Sequence, residues 1–259
     1  MDNLRAALWA EWIKVRRSRV VGVTFLAFSL LPFIGGFFMI LMKNPEAGKN
    51  AGIMNQKAQM LTGTADWPTF LSLITQGMAV GGLIIFGFAA AWIFGREHAD
   101  RTMKDLLALP VPRGAIVLAK FLAFSFVCLG MGIGIFGEAL LVGKLVEIPG
   151  WSRPVFSSFA RVYFTTTFLT IALSFPVAFF AHWGKGYLSA LGFVIFSMVM
   201  AQIVAVAGLG PWFPWSIPAL YSNIEGAGSQ IDSVSFFIVL ATGAAGFAAT
   251  LWRWRGVDA

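Results

Sequence analysis

An all-α, polytopic membrane fold is what this sequence predicts, and three observations predict it. Hydrophobic residues fill 58% of the 259 positions and charged residues only 12%, against about 45–50% and about 25% in a soluble domain. Six stretches are apolar over the roughly 20 residues needed to cross a bilayer as a helix. The 19 Lys and Arg residues collect at the ends of those stretches and are shared unequally between their two sides. So much apolar surface has to face lipid. The chain therefore reads as a single transmembrane domain, 1–259.

The spans run from Val20 to Met42, Thr69 to Gly95, Gly114 to about Leu141, Val162 to Ala181, Tyr187 to Gly208 and Ser233 to Trp252. Backbone polar groups in lipid must satisfy one another, which makes these stretches helices. The alternating ten-residue pattern of a membrane barrel is absent. The first span has an apolar run of about 23 residues against the 7–15 of a signal peptide, so it reads as a permanent helix.

Charge sets the orientation. Arg5, Lys14, Arg16, Arg17, Arg19, Arg96, Arg101, Lys104, Arg113, Lys120, Lys185, Arg253 and Arg255 share one side of a six-span chain. Lys43, Lys49, Lys57, Lys144, Arg153 and Arg161 share the other. Thirteen against six places both termini in the cytoplasm of a cell (plasma or inner) membrane by the positive-inside rule. The formal charge of +7 does not imply nucleic acid, because these cations flank apolar segments and meet lipid headgroups.

Between the spans, residues 3–19 predict a helix lying on the membrane. Leu4, Leu8, Trp12 and Val15 recur at helical spacing, Trp9 adds a ring, and the basic cluster faces phosphates. Glu11 spoils the apolar stripe, and a charged tail that merely sets topology is the alternative. The loop GREHADRTMKDLLALPVPRGAIVLAK, from Gly95 to Lys120, predicts a short amphipathic helix over about 100–109. Thr102 with Asp105 resembles a capping box, and Pro110 stops the helix. Its apolar side could rest on lipid or enter a groove on another protein. The outer loop Leu209–Asp232 contains GPWFPWSIPALYS, 210–222, which predicts short broken helices at the headgroup level, and the polar stretch Lys43–Trp67 predicts a partly helical or mobile loop.

Catalytic chemistry is not written in the chain. It has no G-x(4)-GK[ST] loop for ATP phosphates, no HExxH and no G-x-S-x-G. His98 and His182 belong to no metal-binding pattern, and Cys128 reads as a buried small hydrophobe. Two polar stripes could line a pathway: Ser72 and Gln76 with Thr69 in span two, and Tyr163, Thr167, Thr170 and Ser174 in span four. Hydrogen bonding between helices is the other role open to such hydroxyls. Glu138, the acid inside span three, either serves function or reaches water or Lys144 near the outer interface.

The run Arg96-Glu97 … Arg101-Thr102-Met103-Lys104 … Leu106-Leu107 … Leu109-Pro110-Val111-Pro112-Arg113 … Lys120 resembles the segment after the second span in ABC type-2 transporter permeases. The stretch Ala10 to Val20, AEWIKVRRSRV, is similar to the family's surface helix. The resemblance implies a permease subunit that is not itself an enzyme. Two cytoplasmic ATPases would dock beneath it, with ATP and Mg in those chains, and a second permease subunit, identical or related, would complete the pathway. It assigns Glu97, Asp100, Arg101, Thr102, Met103, Lys104, Leu106, Leu107 and Glu11 to coupling with the ATPase. Permeases of this kind often export bacitracin-like or lantibiotic peptides, drugs or lipid-like molecules, and the shortage of charge in the spans fits an amphipathic cargo. A secondary transporter or channel would instead need ion-coupling groups at midplane; only hydroxyls and Gln202 offer themselves.

Overall fold

The computed structural model describes residues 2–43, 64–108, 110–222 and 231–256. Among them the elements are helical: α1 (Asp2–Arg17), α2 (Arg19–Lys43), α3 (Trp67–Ala99), α4 (Met103–Leu107), α5 (Arg113–Leu145), α6 (Arg153–Leu173), α7 (Phe175–Trp183) and α8 (Tyr187–Val206), then two 3-10 turns, α9 (Ile217–Ser222) and α10 (Ser233–Arg255). Six of the spans so formed are long and apolar enough to cross a membrane, with α6 and α7 together making the fourth. The polar loop 44–63 and the stretch 223–230 lie outside the described residues.

Helix α3 is the axis of the bundle. It packs on α2, α5, α6, α7, α8 and α9, and Phe70, Ile74, Met78, Phe86, Ile93 and Phe94 along it are buried. Local chemistry fixes where it begins. Asp66 is extended and its carboxylate accepts the Thr69 N–H at 2.9 Å, with Pro68 in the first turn. Burial works against the Asp66 charge, but hydrogen bonds from Thr64 and Thr69 outweigh it and hold the carboxyl below its ordinary range.

The fourth span departs from the expectation in two ways. It starts at Arg153, nine residues before the predicted Val162, because Ser152 caps it with a 3.4 Å bond from the Val155 N–H. Arg153 and Arg161, which read as loop charges, sit on its exposed face. It is also broken at Ser174. Pro176 has no N–H to offer the Ala172 carbonyl, so the helix cannot continue through it.

Helix α10 closes on that break. A Cβ at Gly246 would stand 2.5 Å from the Pro176 nitrogen, and one at Gly243 would stand 2.9 Å from the Ala172 carbonyl oxygen. Only glycine lets the two backbones approach this far. Residues 210–222 form the predicted broken segment, two 3-10 turns followed by α9. The Ser235 hydroxyl ties it to α10 through the Pro211 carbonyl at 2.9 Å. Helices α8 and α10 lie at the periphery and turn Ile195, Phe196, Val199, Phe237 and Leu240 outward.

Candidate functional site

Sequence reasoning placed the short cytoplasmic helix at about 100–109. The structure contracts it to Met103–Leu107, and Leu109 and the Leu107 side chain lie outside the description. The reason is that α3 is longer than expected and uses Asp100–Thr102 to end. The Asp100 N–H reaches the Arg96 carbonyl at 2.7 Å, the Thr102 N–H reaches the Glu97 carbonyl at 3.0 Å, and Arg101 takes a left-handed φ of 59° between them. The expected capping box is not formed: Thr102 makes no side-chain cap bond. Met103 and Leu106 pack half-buried against the core, while Asp100, Arg101, Thr102, Lys104 and Asp105 are exposed.

Beneath this loop lies a buried ion cluster. Lys120, on α5, is fully buried, so each of its three ammonium protons needs an acceptor. It has them: Glu97 Oε1 at 2.6 Å, Glu11 Oε2 at 3.3 Å and the Ile93 carbonyl at 3.0 Å. Glu11 Oε1 also accepts from Lys14 at 2.7 Å, and Glu97 Oε1 from Lys14 at 3.2 Å. Arg96 completes the set, at 3.4 Å from Glu11 and 3.3 Å from Glu97, with its guanidinium 5.0 Å from the centre of the Trp92 ring. Two carboxylates and three cations thus join α1, α3 and α5 at the end of the bundle from which α4 projects.

Glu97 and Glu11 were grouped with the ATPase contacts by resemblance. In the chain itself both are buried and face inward to Lys120. Lys14 and Arg96 enter the sequence reading through topology and the family motif, not as partners of these carboxylates. The signal that could have found them was Glu11, an acid set against the apolar stripe of α1, which demands a cation from elsewhere. An apolar cavity of about 270 Å³ separates α1 from the loop, lined by Ala6, Ala7, Ala10, Leu106, Val111 and Ile116.

A second knot stands beside the cluster. His98 Nε2 lies 2.8 Å from His182 Nδ1, and Trp254 stacks on His182 at 5.1 Å, which joins the ends of α3, α7 and α10. No group of three or more His, Cys, Asp or Glu suited to a metal occurs among the described residues.

The two polar stripes lie apart. On α3, Gln76 is exposed and its amide donates to the Ser72 hydroxyl at 3.0 Å. On the fourth span, Tyr163, Thr167, Thr170 and Ser174 are buried. Tyr163 donates to the Gly132 carbonyl of α5 at 2.8 Å. Thr167, Thr170 and Ser174 donate to the carbonyls four residues earlier, at 2.8, 2.8 and 2.9 Å. Only Tyr163 therefore makes the expected bond between helices, while the other three hydroxyls bond back onto their own helix. Glu138 makes no ion pair with Lys144 among the described residues, contrary to one of the alternatives. Its Oε1 accepts from Ser29 of α2 at 3.0 Å, and its Oε2 is buried without a partner. Gln202, which the sequence offers to the secondary-transporter alternative, lines a cavity of about 200 Å³ between α3, α8 and the Trp215 turn.

Six helices long and apolar enough to cross a membrane, tied at one end by a charged knot, define a polytopic membrane protein. Family comparison agrees: residues 7–202 match the model of the ABC-2 family transporter protein. The chain belongs to that family and is a multi-pass membrane permease subunit of an ABC transporter. It is also similar to the bacitracin transport permease protein BCRB of Bacillus licheniformis, 25% identical over 178 residues that cover 68% of this chain and 85% of that protein.

Proposed function

We propose that this permease exports an amphipathic cargo, such as an antimicrobial peptide, a drug or a lipid-like molecule, and is driven by a separate cytoplasmic ATPase. The observation that carries the reading is the Glu11–Lys14–Arg96–Glu97–Lys120 cluster, which fastens α1, the base of α3 and α5 to one another just under α4. A load applied at α4 is then passed to three helices together. The exposed residues Asp100, Arg101, Thr102 and Lys104 form the face the ATPase would hold, with Met103 and Leu106 on the half-buried side of the helix. Glu97 and Glu11 act from below by keeping that face in place. ATP and Mg belong to the ATPase, and both termini of the permease lie with it in the cytoplasm of the cell membrane.

A second permease subunit, identical or related, completes the pathway. The outward apolar faces of α2, α8 and α10 offer it ample surface beside lipid. Ser72 and Gln76 of α3 are polar side chains at or near the surface that could touch cargo, whereas the hydroxyls of the fourth span are buried and already bonded. The relation to a bacitracin transport permease supports a peptide antibiotic as the cargo class to try first.

The test is to express the permease with candidate ATPases, isolate it through a tag, and measure ATP hydrolysis of the reconstituted complex with and without amphipathic peptides. Peptide-stimulated hydrolysis is expected. A permease that moves peptide with no ATPase bound, or an ATPase stimulated only by small ions, overturns the proposal.

A further inference from the structure

We infer that the chain binds the headgroup of an aminophospholipid, of the phosphatidylethanolamine kind, in a cavity where the surface helix meets the base of the second span. The cavity holds about 370 Å³ and lies between the end of α1 and the end of α3. Lys14, Arg96 and Glu97 line it and already satisfy one another in the ion cluster. Arg17 and Asp100 also line it, and both are exposed. Neither side chain has an ion pair or hydrogen bond among the described residues, and they do not pair with each other.

The site therefore offers one guanidinium and one carboxylate with no ion pair or hydrogen bond among the described residues, both lining a single cavity, with the Tyr187 phenol near enough to Asp100 to feel its charge. An anionic headgroup would answer Arg17 and be repelled by Asp100. A free ammonium ion would do the reverse. A zwitterion carrying a phosphate and a primary ammonium a few bonds apart answers both. The neighbouring cluster, with three cations to two carboxylates, favours the phosphate side further. A primary ammonium also donates hydrogen bonds to a carboxylate, which a trimethylammonium cannot do.

The surroundings fit a lipid rather than a solute. Trp92 lines the cavity, and tryptophan favours the headgroup level. Ser18 lines it too and immediately precedes α2, whose outward face is apolar from Val23 and Leu26 onward. A headgroup seated here could lay its chains against that face. It would bridge the end of α1 to the turn that carries α4, so its presence would stiffen the joint between them. The inference needs only that this end of the bundle lies at a membrane surface, whichever side that is.

The experiment uses the isolated full-length permease, without ATPase, in detergent and in nanodiscs. Native mass spectrometry and thermal unfolding are followed with phosphatidylethanolamine, phosphatidylcholine and phosphatidylglycerol, and with soluble glycerophosphoethanolamine as competitor. Phosphatidylethanolamine should be retained about tenfold over the other two, the effect of one charge-assisted hydrogen bond. Arg17→Gln and Asp100→Asn should each abolish that preference while leaving unfolding in lipid-free detergent unchanged. Equal retention of phosphatidylglycerol or phosphatidylcholine, or a preference that survives both substitutions, overturns the site. Competition by glycerophosphoethanolamine at the same concentration as the lipid overturns its assignment to a membrane lipid.

Discussion

Lys120 and Glu97 meet at 2.6 Å across the α5–α3 contact, and neither has water to fall back on. Removing one member of such a pair strands the other, so the cost of a single substitution exceeds the net worth of the pair. Lys120→Met should lower stability by about 3–5 kcal/mol. The double variant Lys120→Met with Glu97→Gln should recover at least half of that loss, because it leaves no uncompensated carboxylate on α3. Thermal unfolding of the detergent-solubilised protein, followed by tryptophan fluorescence, measures both. A double variant no better than the single one would mean that the bond organises more than the charge balance.

Glu11 gives the same cluster a mechanical meaning. It is the residue through which α1 is held to Lys120. In Glu11→Gln, the amide can still accept from Lys120, but the attraction to Lys14 and Arg96 falls. The permease should remain folded, and cysteine crosslinks between α1 and α5 should form more slowly. In the reconstituted transporter, ATP hydrolysis should persist while cargo stimulation drops. Unchanged stimulation would show that α1 does not carry the load.

The exposed face of the α4 loop is open to direct test. Arg101→Glu with Lys104→Glu reverses two charges that have no ion-pair partner within the chain among the described residues. The permease alone should unfold at the same temperature as before. Capture of the ATPase should weaken by roughly 30-fold, which is what a lost interfacial hot spot of about 2 kcal/mol produces. Full capture by this variant would move the docking face elsewhere.

The membrane class, the number of spans and the basic end were legible in the sequence, because hydropathy and charge act on every residue and need no partner to be read. What was not legible depends on partners far away in the chain. Glu11 looked like a flaw in an amphipathic helix until Lys120, 109 residues later, was found against it. The helix at 100–109 was drawn too long because Thr102 and Asp105 suit a cap locally, while α3 needs Asp100–Thr102 to end. The fourth span reads as one continuous helix although it holds Pro176, and the packing of that proline against Gly246 was not legible, since any glycine in α10 satisfies a one-dimensional pattern equally well.

That last contact yields the sharpest stability contrast in the bundle. At Gly246 an added Cβ would press on the Pro176 nitrogen at 2.5 Å, an atom of backbone that no rotamer change can move. At Gly137 the same Cβ meets nothing within 4 Å. Gly246→Ala should therefore destabilise by about 1–3 kcal/mol through forced separation of α10 from α7. Gly137→Ala should be neutral or stabilise by about 0.5–1 kcal/mol, because alanine is the better helix former. If α10 slides past α7 during transport, Gly246→Ala should slow cargo movement even at temperatures where it is fully folded. Thermal unfolding and transport assays on the two variants separate these effects: a Gly246→Ala protein as stable as Gly137→Ala would mean that the two backbones do not touch.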